Sequence, residues 1–182
     1  MSVDQIIAIS LWMIIPLGIL GSLLHFSYEW SGHDRFVAMF SAVNESYWEH
    51  IKIAIWPIFL LQVTLFIAGG YQVPAFVPAA TVALFSIPIS MIAIVFGYKA
   101  LARKNILFLD ISAFFISVAI AQMLFVQLLT ELEPSISTIV ISSIFLLVLL
   151  FSFLRFTHKP PAEPDIFLDP TNDTYGTSGH TK

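Results

Sequence analysis

The chain has 182 residues, of which 58% are hydrophobic and 11% charged, with a formal net charge of −4. Globular domains carry about a quarter charged residues, and a chain this apolar cannot stay solvated as a disordered one, so a polytopic membrane protein remains. With no cysteine, disulfides, thiolate nucleophiles and Cys-ligated metals are excluded, and so small and dispersed a charge excludes nucleic acid as a partner.

Five apolar runs, at about residues 5–24, 51–70, 76–98, 106–129 and 136–156, each approach the roughly 20 residues that one crossing requires. The first has no basic segment before it and no small-residue cleavage site, which predicts a retained helix rather than a signal peptide. It should run on to Ser31-Gly32, glycine being the usual residue just past a helix end, about 40 Å at 1.5 Å per residue. Prolines 16, 57, 78 and 88 fall in or beside spans, and Pro88 is the expected kink. Gly18 and Gly21 are small enough to allow close helix approach. The connections are brief, so sequential helices are antiparallel neighbours. The predicted fold is an all-α, five-helix transmembrane bundle over residues 1–156, followed by a Pro-rich tail over 157–182.

Orientation follows from Lys and Arg. All eight (Arg35, Lys52, Lys99, Arg103, Lys104, Arg155, Lys159 and Lys182) fall on one side of the predicted spans, while Asp4, Glu131 and Glu133 fall on the other. The N-terminus is therefore expected outside and the tail in the cytosol, in a multi-pass protein of the plasma membrane.

The segment from His25 to Lys52 gathers three of the five histidines and four of the twelve acids. His25 and Glu29 are four apart and share a helix face, as do Glu45 and Glu49 if the second helix starts at Asn44. Ser46-x-x-Glu49 has the spacing of a capping box. Antiparallel packing brings both ends to one depth, so His25, Glu29, Glu45, Glu49 and His50 assemble a single pocket. His25, Glu29, Glu45 and His50 have the ligand types of a divalent-metal site. Glu45, Glu49, His50 and Lys52 are the candidate catalytic groups, with Glu49 as base and Lys52 as anion contact. Bland accounts exist for each: Glu49 as cap, Lys52 paired with Glu49, and Tyr28, Trp30, Tyr47 and Trp48 as an interfacial belt. Asp110 is expected to pair with Arg103, Lys99 or Lys52, and Gln62, Gln122 and Gln127 to bond between helices. No Gly-rich phosphate loop is present.

The motifs His25-Phe-x-Tyr-Glu29-Trp-Ser-Gly, Phe40-Ser-x-Val-Asn44-Glu45-Ser-x-Trp48-Glu49-His50-x-Lys52 and Pro57, with Pro160-Pro161, Phe167-x-Asp169-Pro170 and Thr174-Tyr175-Gly176 in the tail, resemble an uncharacterised family of small prokaryotic integral membrane proteins, a domain of unknown function. Asn172-Asp173 departs from the family pattern, which has Gly after the tail's Asp-Pro-Thr. The resemblance implies that the polar cluster and tail form one shared feature, with the tail a docked strap rather than a solvated end.

The leading expectation is a membrane-embedded, metal-dependent enzyme working from the cytosolic side on a lipid-like or membrane-delivered substrate. A small-solute or ion carrier is the first alternative, although no inverted repeat is visible. A non-catalytic assembly partner, for itself or for another membrane protein, is the second.

Overall fold

A computed structural model describes residues 1–177; Lys182, counted above among the one-sided cations, lies outside them. Its helices are α1 (Val3–Trp12), α2 (Ile14–Trp30), α3 (Arg35–Ala38), α4 (Tyr47–Ile67), α5 (Phe76–Ala102), α6 (Leu107–Glu131) and α7 (Ile136–His158). Four of them, α4 to α7, are long and apolar enough to cross a membrane, and α1 with α2 makes a fifth candidate if the bent pair counts as one span.

The expectation of one continuous first helix is corrected. The chain breaks at Met13, where α1 and α2 meet at 52°. The cause lies three residues on: Pro16 has no N–H to donate to the Trp12 carbonyl, and its ring crowds that oxygen. Through Pro88, by contrast, α5 runs as one helix. The bend is supported from α6, where Gln122, fully buried, donates Nε2 to the Ser10 carbonyl at 2.9 Å. Ser10 lies in the last turn of α1, where carbonyls leave the regular ladder, so this glutamine makes the interhelical bond expected of it. Gln127 instead bonds within its own helix to Glu131, and the amide atoms of buried Gln62 have no hydrogen-bond partner among the described residues.

The central element is α4. Ile51, Ile53, Ala54, Ile55 and Ile58 along it are essentially inaccessible, surrounded by α2, α5 and α6. α7 lies at the rim, with Leu147 and Phe151 outward, as lipid-facing side chains are. Pro57 leaves the Ile53 carbonyl without its usual donor, and α2 approaches at that oxygen. A Cβ at Gly21 would lie 2.8 Å from it and 2.6 Å from Phe114 Cζ. Since the carbonyl is backbone and cannot swing aside, Gly21→Val is expected to cost about 1–3 kcal/mol, read as a lower unfolding temperature of the detergent-purified protein.

Contacts such as Lys52 to Thr157 and Lys99 to Tyr47 bring the C-terminal ends of α5 and α7 to the N-terminal end of α4. That end carries the described basic residues and the tail. After α7 the chain runs through Pro160-Pro161 into a short hairpin, β1 (Leu168–Asp169) paired antiparallel with β2 (Thr174–Tyr175), in register Leu168 to Tyr175 and Asp169 to Thr174. The hairpin is docked. Phe167 is buried against Trp48 and Phe156, with ring centroids 4.8 and 5.5 Å away. Asn44 Nδ2 donates to the Gly176 carbonyl at 3.0 Å. Gly176 has φ +55°, and a Cβ there would meet the Thr157 carbonyl at 2.8 Å, so this final contact suits glycine alone.

Candidate functional site

Three elements supply the site. Ser31 closes α2 and Gly32, at φ +70°, turns the chain out of it, which leaves His25 in the last two turns of α2. Ser46 caps α4, its hydroxyl accepting from the Glu49 N–H at 3.4 Å. The predicted reciprocal half of the capping box is not made, because the Ser46 N–H donates to Asn44 Oδ1 at 3.0 Å and the Glu49 carboxylate is used elsewhere. His50 then sits one turn into α4, and Glu45 lies in the linker before the cap.

His25 Nε2 is 3.5 Å from Glu45 Oε1, His50 Nε2 is 3.7 Å from Glu45 Oε2, and the two imidazole centroids are 5.1 Å apart. One ligand atom from each of the three residues lies within 4.8 Å of the others. The tautomer of His50 can be read from its other nitrogen. Nδ1 is 2.9 Å from the Ser46 carbonyl oxygen, and a carbonyl only accepts, so Nδ1 carries a hydrogen. In the neutral ring, Nε2 therefore turns a lone pair toward the Glu45 carboxylate. Two electron-rich atoms facing each other ask for a cation between them, a metal ion or a proton on Nε2. Fixing the far nitrogen of a histidine on a backbone carbonyl is also the usual outer-shell arrangement of metal-ligating imidazoles.

Glu45 lies outside the membrane-spanning helices. The hydrogen bond from His25 is the main cause holding its carboxyl below the usual carboxylate range, with burial opposing. The sign follows: a depressed carboxylate pKa stabilises the fold above the ordinary range, and that contribution is lost as pH falls through the lowered value. At neutral pH the carboxylate is ionised and available as a ligand.

Glu49 and Lys52 form a separate, inaccessible cluster. Lys52 Nζ has three partners, one for each proton: Glu49 Oε2 at 2.5 Å, the Ala38 carbonyl at 2.8 Å and Thr157 Oγ1 at 2.9 Å. Glu49 Oε2 also accepts from the Val43 N–H at 3.0 Å. The pair ties the α3–α4 linker, α4 and α7 together. Glu29 is exposed on α2 and is not one of the three residues whose ligand atoms converge. Asp110 takes the Tyr98 hydroxyl at 2.5 Å and stands 4.0 Å from Lys99, while Lys99 donates to Tyr47 at 2.6 Å. Of the predicted aromatic belt, Trp30 is exposed, but Tyr28 is buried and Trp48 stacks on Phe153 at 4.4 Å.

Asp169, which the sequence offers only as part of the tail motif, is a further residue of the site. It is 3% exposed. Its Oδ2 accepts from the Glu45 N–H at 3.3 Å, and Oδ1 accepts from Thr171 N–H and hydroxyl at 2.8 and 2.6 Å. The signal for it is an acid set between Leu168 and Pro170, next to the apolar residues of the tail. The tail thereby roofs a polar cavity of about 300 Å³ whose wall includes His25, Glu29, Asn44, Glu45, Asp169 and Asn172. On the other side of His25 and Glu45 lies an apolar groove of about 430 Å³ along Ile53, Leu107, Ile111 and Phe114.

A family model described as a family of unknown function, DUF6512, matches residues 1–177. The chain belongs to this family. The match runs from α1 through the docked hairpin, so the DUF6512 unit includes the tail as well as the helices. No curated protein and no solved structure matches the chain.

Proposed function

We propose that His25, Glu45 and His50 bind one divalent metal ion at the cytosolic mouth of a five-crossing bundle, and that the site serves a membrane-embedded hydrolytic enzyme. The observation that carries this reading is the His50 tautomer: its Nε2 faces the Glu45 carboxylate across 3.7 Å, a gap that a cation would bridge. Two imidazoles and one carboxylate suit zinc or a similar borderline ion and leave a coordination position open, as catalytic sites do. A metal held there would supply an activated water at neutral pH. The remaining residues of this chain orient and shield: Ser46 fixes the His50 ring, Asp169 holds the Glu45 backbone, and the Glu49–Lys52 pair anchors the linker that carries Glu45. Glu49 and Lys52, considered above as base and anion contact, are assigned this positioning role because the three ammonium protons are already engaged.

Cobalt(II) titration of the purified, metal-stripped protein tests the assignment. The wild type should develop the visible absorption of a low-coordinate site, and His50→Ala should lower the affinity by at least about tenfold. Affinity should fall as pH drops, because protons compete for the ligands. Titration curves that coincide for wild type and His50→Ala would contradict it.

The topology within this proposal is α1 and α2 as one bent crossing, since α2 alone, at 17 residues, reaches only about 25 Å against a core of about 30 Å. With the N-terminus outside, a cysteine introduced as Asp4→Cys should react with an impermeant maleimide on intact cells. Lys104→Cys should react only after permeabilisation. The cysteine-free background makes the labelling unambiguous, and the reverse pattern would invert the topology.

A further inference from the structure

We propose that the site accepts a membrane amphiphile with an ammonium-bearing head, its apolar chain lying in the groove between α2, α4 and α6 and its head in the cavity under the tail hairpin. The metal reading supplies the position of the reacting bond in this picture; the fit of the amphiphile stands on the two cavities.

His25, Phe26 and Glu45 line both the polar cavity and the apolar groove, so the two meet at the converging imidazole and carboxylate groups. A molecule spanning them must be apolar at one end and polar at the other. The groove lies among helices that face lipid: Leu107, Ile111 and Phe26 on its flanks are about half or more exposed, so a bilayer chain enters sideways without crossing water. Its volume is within the range of small-ligand sites, about 300–1,000 Å³.

The head is specified by charge. Among the described residues the cavity wall holds the carboxylates of Glu29, Glu45 and Asp169 and no lysine or arginine. A divalent ion at the three ligands would offset Glu45 and leave two carboxylates beyond it. An anionic head with no positive group would meet Glu29 without compensation, whereas an ammonium would pair with it at the open side. Complementary charge of this kind sets specificity more than total affinity.

The test is native mass spectrometry of the detergent-purified chain titrated with phosphatidylethanolamine and phosphatidylglycerol of identical chains, with metal content measured on the same samples. Wild type should prefer phosphatidylethanolamine by about tenfold, the scale of one charged hydrogen bond. Glu29→Gln should bring the two lipids close to parity. Ile111→Trp, a change on the exposed flank of the groove, should weaken both. Both variants should keep the metal content of wild type, which separates lost lipid contacts from a damaged metal site. Equal binding of the two lipids by wild type, or unchanged binding by Ile111→Trp, would overturn the proposal. Absent metal alongside an intact lipid preference would sink the metal reading and leave this one standing.

Discussion

Replacing Lys52 by methionine should cost about 3–5 kcal/mol of stability, the scale for removing one partner of a buried ion pair. The substitution leaves the Glu49 carboxylate, 2% exposed, still accepting from the Val43 N–H but without a countercharge, and it strips donors from the Ala38 carbonyl and the Thr157 hydroxyl. An uncompensated charge in a low-dielectric interior is far more costly than a missing contact, because desolvation has already occurred. The combined Glu49→Leu and Lys52→Met chain should recover a large part of the loss, since apolar groups of similar volume often replace buried pairs at little cost. Thermal unfolding of the single and double variants in one detergent measures this. A single variant as stable as wild type would show that the pair does not hold the linker.

Phe167→Ala should detach the tail while leaving the helices folded. Truncating a buried phenylalanine costs about 3–5 kcal/mol, and here nearly all of it falls on one docking contact, the packing of its ring against Trp48 and the edge-on contact with Phe156. Hydrogen bonds also hold the strap, among them those from Asn44 to Gly176 and from Glu45 to Asp169, each worth about 0.5–1.5 kcal/mol net, up to about 3 where the carboxylate is charged. In inverted vesicles, protease should clip the variant between Pro160 and Gly176 and leave the wild-type tail intact. Equal resistance would mean that the hydrogen bonds alone keep the strap in place. The cavity beneath would open with the strap, so loss of the tail should alter what binds there as well as the tail itself.

The helices were legible because apolar runs of a crossing's length record the solvent directly. What the runs do not record is a break inside one of them: at Met13 the residues on both sides are equally apolar, and Pro16 alone carries the signal. The end of α2 at Ser31-Gly32 was readable from glycine, and the start of α4 at Ser46 from its hydroxyl. The cluster was legible as composition and only partly as geometry. Helical spacing places Glu49 one turn from Glu45 and next to His50, but Glu45 precedes the cap and lies off the helix, so the two carboxylates part. Glu45 turns to the imidazoles and Glu49 to Lys52. Trp48 reads as a membrane-interface residue because that is where tryptophan collects; in the fold Phe167 of the tail packs against it instead. The role of Asp169 depends on a contact across 124 positions of sequence, which local pattern does not encode.

Elemental analysis of the untagged protein in lipid nanodiscs, beside Glu45→Gln and His25→Ala, tests the central claim most directly. The account predicts close to one divalent ion per wild-type chain and little in either variant, with all three folded. A wild-type chain that carries no metal even after supplementation would contradict it, and would make the cation between His50 and Glu45 a proton.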